Sequence, residues 1–254
     1  MSRALSLFCL CLLLALPARA GDTVRVAVAS NFLATLKLLG ADYQARSGDR
    51  LLISSASTGK LYAQIRHGAP FEVFLAANAR EPERLEQEGL TVPGSRFTYA
   101  LGQLVLWAPG WDGPADDWAS VIRQWPKARI ALANPATAPY GAAAHEALRR
   151  RGLLAGRPPA RLVRGENVAQ AFQHVASGAT MLGFVAWSQL KPRLPVAGRH
   201  WLIEPRWHPP IRQQAVLLKG AADRAAPRRF LRYLAGPHAR RIISGQGYRL
   251  EPAP

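Results

Sequence analysis

The sequence predicts an α/β protein of two lobes, each with a mixed, mostly parallel sheet flanked by helices. Along residues 21–254, short apolar segments that resemble strands alternate with helical patterns, which is typical of parallel sheets. The alternation occurs as two series, separated by loop and turn residues at 110–118. With 254 residues, of which 49% are hydrophobic, the chain is long enough for two lobes of roughly 100 residues, each with its own core.

Residues 1–20 have the pattern of a cleaved signal peptide. Arg3 supplies the positive start, residues 4–17 form an apolar stretch, and Ala18-Arg19-Ala20 is a small-x-small cleavage pattern. The apolar stretch is shorter than the roughly 20 residues that a membrane-spanning helix needs. We therefore expect export to the periplasm and a mature chain that begins at Gly21.

Charge is the unusual feature of the composition. The chain has 33 Lys and Arg against 16 Asp and Glu, and because Arg3 and Arg19 leave with the signal peptide, the mature chain carries 31 − 16 = +15. Such an excess suggests nucleic acid, a membrane surface or a small anion as a partner, and export argues against nucleic acid. Both cysteines, Cys9 and Cys11, lie in the signal segment, so we expect no disulfide, thiolate metal site or cysteine nucleophile in the mature chain.

The first series of elements is predicted from apolar runs and from helix signals. Leu33, Leu36, Leu39 and Tyr43 fall on one helical face, and glycines follow the helices as C-terminal caps. In chain order the series is a strand at 24–29, a helix at 33–47, a strand at 51–54, a helix at 57–67, a strand at 73–76, a helix around Pro82, and a long strand at 99–107 that could cross between lobes.

The second series begins after loop and turn material at 110–114 and Trp118. It is predicted as a strand at 129–133, a proline-rich loop at 134–141, a helix at 142–150, a strand at 161–163, a loop at 165–167, a helix at 168–177 and a strand at 181–185. A returning strand at 213–218 and helices at 227–234 and 239–243 complete the chain. We expect lobe 1 to comprise 21–103 with 211–254, and lobe 2 to comprise 104–210.

One kind of junction recurs, in which a strand leads through a short polar loop into a helix. It occurs at Ser30-Asn31, Ser57-Thr58-Gly59, Pro139-Tyr140-Gly141 and Glu166-Asn167-Val168. Free backbone N–H groups and the helix dipole make each helix start a possible anion site, and such loops meet at the carboxyl ends of the strands. A single junction of this kind is more often only a helix cap. Together they indicate a small polar ligand in a cleft.

The residues around these junctions resemble the periplasmic molybdate-binding proteins, the solute receptors of molybdate ABC transporters. The resemblance extends in family order over almost the whole mature chain. The matching stretches are VAVASNF at 26–32, SSASTGKLYAQI at 54–65, GAPFEVFLAA at 68–77, NPATAPYGAA at 134–143, GENV at 165–168 and LGFVA at 182–186.

This resemblance implies the two-lobed periplasmic binding protein fold of type II, with an oxyanion in the cleft between the lobes. The chain is then expected to capture molybdate or tungstate, to deliver it to the permease of an ABC transporter in the inner membrane, and to act as a monomer without a cofactor. The metal would be contacted only as the molybdate oxyanion. The implied ligand-binding residues are Ser30, Asn31, Ser57, Thr58, Tyr140 and, through its backbone, Val168. Either Ser57 or Thr58 could supply the side-chain hydroxyl.

The sequence departs from the family pattern at several positions. Thr58 stands where some members have serine, and Glu72 replaces the more usual aspartate. Tyr140 and Ala186 reverse an arrangement of tyrosine and a small residue found in other members. These departures leave the choice among molybdate, tungstate and sulfate open. Lys60, beside one junction, is interpreted as a solvated helix residue, and the basic excess as a means of attracting dianions or of docking on the transporter.

Three alternative functions are less well supported. An enzyme is disfavoured because His145-Glu146 is followed by Arg149 where a zinc protease needs its second histidine, and Asp116-Asp117 is interpreted as solvated. A polyanion or membrane-surface binder would use an arginine cluster, which we interpret as the solvated faces of two helices. The cluster is Arg224, Arg228, Arg229, Arg232, Arg240 and Arg241. A receptor for another oxyanion, such as sulfate or phosphate, stays possible.

Overall fold

The computed structural model describes residues 21–115, 117–154 and 161–251. The predicted signal peptide and Asp116 lie outside the described residues. The strands are β1 (Thr23–Ala29), β2 (Arg50–Ala56), β3 (Val73–Leu75), β4 (Phe97–Gly102), β5 (Leu104–Ala108), β6 (Ile130–Ala133), β7 (Leu162–Gly165), β8 (Leu182–Ala186), β9 (Arg199–Leu202) and β10 (Ile211–Leu217). The helices are α1 (Leu33–Ser47), α2 (Thr58–Arg66), α3 (Arg80–Gln87), α4 (Trp118–Gln124), α5 (Pro139–Arg150), α6 (Val168–Ala176), α7 (Trp187–Leu190), α8 (Ala225–Ala235) and α9 (Pro237–Gly245).

The strands form two sheets with equivalent arrangements. The first has the order β2-β1-β3-β10-β4, and the second has the order β7-β6-β8-β5-β9. In each sheet one strand, β10 or β5, is antiparallel to both of its neighbours, while the remaining pairs are parallel. The prediction of two mixed, mostly parallel sheets flanked by helices is confirmed. Each of these antiparallel strands, β5 and β10, is the first strand of its sheet that the chain enters after leaving the other sheet.

The sheets divide the chain at the two crossings. All strands of the first sheet come from residues 23–102 and 211–217, and those of the second from 104–202. We propose the same division as the sequence analysis and use lobe 1 and lobe 2 in that sense. Within lobe 1, β4 ends beside the start of β10, where Gly102 pairs with Ile211 in antiparallel register.

The parallel register brings the junction loops together. In lobe 1, Ala29 at the end of β1 pairs with Ala56 at the end of β2. In lobe 2, Ala133 at the end of β6 pairs with Gly165 at the end of β7. The loops that follow therefore leave each sheet side by side, at the carboxyl edge where ligands bind in open α/β sheets.

Side chains alternate across the sheets and build apolar layers on both faces. Val24, Val26 and Val28 of β1 pack with α1, α8 and α9, whereas Ala27 faces α2 and α3. This alternation follows the period of two along a strand. A strand buried on both faces needs such an apolar run, which is why β1 is recognisable in the sequence. No helix of the described residues is long and apolar enough to cross a membrane.

Three local predictions are wrong. The single strand predicted at 99–107 is two strands in different sheets, and Gln103 between them is held by hydrogen bonds from its Nε2 to Gly247 O at 3.0 Å and from Trp187 N–H to its own O at 2.9 Å. The loop predicted to extend to 141 ends earlier, because Pro139 begins α5, a position that suits proline. Helix α7 and strand β9 were not predicted from the sequence.

The third wrong prediction concerns Trp118 and Asp117. Trp118 is the first residue of α4 and is buried, not part of a turn. Asp117, predicted to be solvated, is the N-cap of this helix: its Oδ1 accepts a hydrogen bond from Ser120 N–H at 2.8 Å, and its other oxygen pairs with Arg151. The Ser120 hydroxyl completes a capping box. With seven residues, α4 has too few turns for its apolar period to be recognised.

Candidate ligand site between the lobes

The four junctions meet at one small cavity between the lobes. It is small, with room of about 10 Å³ for a water-sized sphere, and it is partly open to solvent. All of the predicted ligand-binding residues line it: Ser30, Asn31, Ser57, Thr58, Tyr140 and Val168. No charged side chain is among the described residues that line the cavity. Any attraction for an anion inside it must therefore come from neutral donors.

Ser57 and Thr58 have different roles at the start of α2. The Thr58 hydroxyl Oγ1 accepts a hydrogen bond from Ala77 N–H at 3.0 Å, which ties α2 to the segment after β3. Ser57, the N-cap, is 2% exposed, and its Oγ has no hydrogen-bond partner among the described residues. A buried hydroxyl without a partner costs free energy, so a ligand is its natural partner. Thr58 keeps its own O–H proton, so both hydroxyls can donate, but Ser57 is the one whose oxygen has no partner among the described residues when no ligand is bound.

Asn31 is held in place by contacts within lobe 1. Its Nδ2 donates to Gln213 Oε1 at 2.8 Å and to Tyr248 Oη at 3.2 Å, and Tyr248 Oη donates to Asn31 O at 2.8 Å. The side-chain amide is therefore occupied. What Asn31 can offer to an anion is its backbone N–H near the start of the short 3₁₀ helix Ser30–Phe32, where N–H groups lack helical acceptors.

Tyr140 brings a phenol from lobe 2 to the cavity. Burial raises the pKa of Tyr140 well above its usual value, so the phenol keeps its proton and can donate a hydrogen bond. Its Oη accepts from Gln213 Nε2 at 3.4 Å, which leaves the O–H proton free to point elsewhere. A Cβ on Gly102 would lie 2.3 Å from this oxygen, so only glycine leaves room for the phenol.

Val168 offers its backbone at the start of α6. The N-cap Asn167 accepts hydrogen bonds through Oδ1 from Ala169 N–H at 3.0 Å and from Gln170 N–H at 3.1 Å. These bonds satisfy the second and third N–H groups of the helix. The Val168 N–H, first in the helix, has no partner within the described part of the chain and belongs to a residue of the cavity wall.

Gln213 is a site residue that the sequence analysis missed. It is fully buried in β10, and its Oε1 accepts from Asn31 Nδ2 and from Tyr99 Oη while its Nε2 donates to Tyr140. Gln213 thereby positions donors from both lobes. The available signal was a pair of glutamines, Gln213 and Gln214, inside a segment predicted to be an apolar strand.

Contacts across the cleft show that the lobes are closed around the cavity. Gly59 N–H donates to Thr137 O at 2.9 Å, and Ser188 Oγ donates to Asn31 O at 3.3 Å. Lys60, interpreted from the sequence as solvated, is half exposed but forms an ion pair with Glu166 of lobe 2. The pair is at the rim, beside the loop that leads into α6.

Glu146, the acidic residue of the His145-Glu146 pair, has basic partners of its own. Glu146 is paired with Arg149 and Arg150, whose hydrogen bonds lower the pKa of Glu146 to about 2. No group of three or more His, Cys, Asp or Glu suited to a metal occurs among the described residues.

The arginine cluster contains residues that bind their own lobe. Arg229 pairs with Asp49, and Arg224 pairs with Glu72. Glu72, which departs from the family pattern, also accepts Arg25 N–H through Oε2 at 2.7 Å. Glu72 immediately precedes β3, so it lies at the edge of the sheet opposite the cavity and does not act on ligand choice directly.

Comparison with known proteins agrees with this architecture. The chain matches the family described as bacterial extracellular solute-binding protein over residues 24–249. It is 45% identical to the molybdate-binding protein ModA of Azotobacter vinelandii, over 94% of each chain. It is 41% identical to the ModA of Rhodobacter capsulatus, over 92% of this chain and 91% of that protein.

A solved structure gives the same result. The periplasmic molybdate-binding protein of Azotobacter vinelandii superposes with a TM-score of 0.85 and 40% identity, covering 90% of this chain and all of that one. With its cleft lined by neutral donors and its matching length and topology, the chain belongs to the bacterial extracellular solute-binding protein family and, within it, to the family of the molybdate-binding protein ModA.

Proposed function

We propose that this chain is a periplasmic receptor that captures molybdate or tungstate and delivers it to the permease of an ABC transporter in the inner membrane. Its relatives are binding proteins, and we propose that it catalyses no reaction, needs no cofactor and acts as a monomer. The observation that carries the proposal is the cavity between the lobes, whose wall includes the unpartnered Ser57 hydroxyl, the Tyr140 phenol and the Val168 N–H.

These neutral donors suit a fully deprotonated tetrahedral dianion. Each hydrogen bond to a charged partner is worth about 1.5–3 kcal/mol, so several donors compensate the loss of the anion's hydration. The helix starts at Thr58 and Val168 add favourable dipoles. Donors in fixed positions select by the size and shape of the anion, whereas a lysine would select mainly by charge.

Titration with four oxyanions tests the proposal. Molybdate and tungstate are expected to stabilise the protein by about 2.7 kcal/mol at a hundred times Kd, measured by thermal or chemical unfolding with calorimetry for Kd. Phosphate is expected to bind worst, because it keeps a proton near neutral pH. Its P–O–H group would then face N–H and O–H donors and find no acceptor. If sulfate bound more tightly than molybdate and tungstate, the transported anion would be sulfate. No stabilisation by molybdate, tungstate or sulfate would disprove the proposal.

The ion pair at the rim is expected to stabilise the ligand-bound, closed form. Because Lys60 and Glu166 belong to different lobes and are about half exposed, replacing either by alanine should weaken molybdate binding by no more than about 1 kcal/mol, or about fivefold. The effect should disappear at high salt. Calorimetry on Lys60→Ala, Glu166→Ala and the double variant measures the coupling between the two residues.

Arg66→Ala is the matched control for this measurement. Arg66 is also on α2, and it pairs with Glu88 at 3.1 Å inside lobe 1. This variant should leave molybdate affinity unchanged. An equal loss in Arg66→Ala, or additive losses in the Lys60 and Glu166 double variant, would show that the pair does not act on closure.

A further inference from the structure

We propose that one mouth of the cleft is a second, outer anion site, formed by Lys37 and Arg193, which takes up the dianion first and passes it to the inner cavity. This inference rests on the proposed function. The mouth is a pocket of about 190 Å³ between α1 of lobe 1 and α6 and α7 of lobe 2. It shares Ser30 and Asn31 with the inner cavity, so the two spaces adjoin.

The charge of this pocket is positive and uncompensated. Lys37 and Arg193 are the charged residues among the described residues that line it, and no acidic residue is among them. Lys37 is exposed and has no ion-pair partner in the described part of the chain. Lys60 at the rim differs in this respect, because it is paired with Glu166. A dianion in the pocket would meet two cations that no carboxylate neutralises.

Arg193 is held in position by neutral groups. Its Nη1 donates to Gln189 O at 2.6 Å, and its guanidinium carbon lies 5.1 Å from the centre of the Phe172 ring. Both contacts restrain the side chain, yet neither cancels its charge. A restrained guanidinium loses little conformational entropy when it binds an oxyanion, which it can contact with two parallel hydrogen bonds.

A second pocket that adjoins the inner cavity is neutral in comparison. It is a larger pocket that shares Ala138 and Pro139 with the inner cavity. The two charged residues that line it in the described part of the chain are both compensated: Arg80 pairs with Glu81, and Glu146 pairs with Arg149 and Arg150. The rest of its wall is mainly proline and alanine. Entry of a dianion is therefore favoured through the mouth that holds Lys37 and Arg193.

The outer site separates two tasks that the inner cavity cannot combine. Neutral donors act at hydrogen-bond distance and select the anion, but they attract it weakly from afar. Unpaired cations attract it over about a Debye length, about 8–10 Å at 0.1–0.15 M salt. Lys37 and Arg193 also belong to different lobes, so an anion between them favours the approach of the lobes. Steering by such charges raises association rates by about 10- to 1000-fold.

Stopped-flow measurement of molybdate binding tests the outer site. The Lys37→Gln and Arg193→Gln double variant is expected to lower the association rate constant about tenfold at low salt, with a flatter salt dependence and an almost unchanged dissociation rate constant. Lys37→Gln alone, in which an exposed side chain is changed, should give part of this effect without a change in Tm. The control is Arg123→Gln with Lys127→Gln, at the end of α4 and just before β6, on the edge of lobe 2 away from the cleft.

The outcomes separate this inference from the proposed function. If the wild-type protein does not bind molybdate at equilibrium, both fail. If it binds molybdate but the Lys37 and Arg193 double variant associates as fast as the control, the outer site is disproved and the receptor function stands. A loss of affinity that arises only from faster dissociation would also disprove the outer site, because it would place these residues in the final complex.

Discussion

Replacing Ser57 by alanine is expected to weaken molybdate binding by about 1.5–3 kcal/mol, or about 10- to 150-fold, with almost no loss of stability in the ligand-free protein. The Ser57 hydroxyl is buried at the cavity wall and has no partner among the described residues. Its removal therefore costs no hydrogen bond in the free protein but one in the complex. Calorimetry gives the affinity, and urea unfolding without ligand gives the stability.

Thr58→Val is the matched control and should show the opposite behaviour. The substitution keeps the shape of the side chain but removes the oxygen that accepts Ala77 N–H at 3.0 Å. A buried N–H without a partner costs about 1–3 kcal/mol, so the free protein should lose stability by this amount. Its affinity should fall much less than that of Ser57→Ala. If Thr58→Val loses affinity and Ser57→Ala does not, the hydroxyl donor is Thr58.

Asp49→Ala is expected to destabilise the protein by about 3 kcal/mol without a direct effect on the ligand cavity. The Asp49 side chain is 2% exposed. It accepts hydrogen bonds from Tyr43 Oη at 2.8 Å, from Asp22 N–H at 3.0 Å and from Arg229, whose Nη2 lies 2.9 Å from Oδ2. Alanine would leave these donors without their acceptor. Urea unfolding at neutral pH measures the loss, and Asp223→Ala, at an exposed turn, should stay within about 0.5 kcal/mol of wild type.

Because of the Asp49 carboxylate, the free energy of unfolding is expected to depend on pH. Burial raises the pKa of Asp49, but the hydrogen bonds from Tyr43, Arg229 and Asp22 N–H, together with the charge of Arg229, outweigh it, so the net pKa lies below its usual value. A lowered pKa in the folded state means that the contribution is complete above the unfolded pKa of about 3.9 and is lost as the pH falls through the folded value. The stability difference between wild type and Asp49→Asn should therefore shrink below about pH 4. A difference that is constant from pH 7 to pH 3 would contradict this account.

Much of the fold and part of the site could be predicted because the signals are local. β1 is a run of buried residues followed by a polar loop, and Ser57 and Asn167 precede helices at positions where caps are preferred. Such features depend on a few adjacent residues. The same locality explains why Val168 could be assigned a backbone role, since the first N–H of any helix lacks a helical acceptor.

The rest depends on contacts between distant parts of the chain. Gln213 meets Asn31 and Tyr140 across separations of 182 and 73 residues, and no local pattern encodes such pairs. The choice between Ser57 and Thr58 depends on Ala77, which approaches α2 only when β3 is in place. The need for glycine at position 102 also arises from a distant residue, because a side chain there would collide with the phenol of Tyr140. The break at Gln103 was not predicted either, because a single glycine, Gly102, inside an apolar run does not by itself show that the chain changes sheets there.

The pairing of Gly102 with Ile211 has a consequence for how such a chain can be divided. The two residues are neighbours across an antiparallel ladder, so β4 and β10 form a β-hairpin whose connection has been replaced by all of lobe 2. In lobe 2, the first and last strands, β5 and β9, are likewise adjacent and antiparallel, with Val105 beside Leu202. Lobe 2 is thus topologically an insertion at a hairpin tip, a position that a turn of about two residues can close. Excision of lobe 2 would remove no strand from the first sheet, whereas truncation after residue 210 would remove β10 from between β3 and β4.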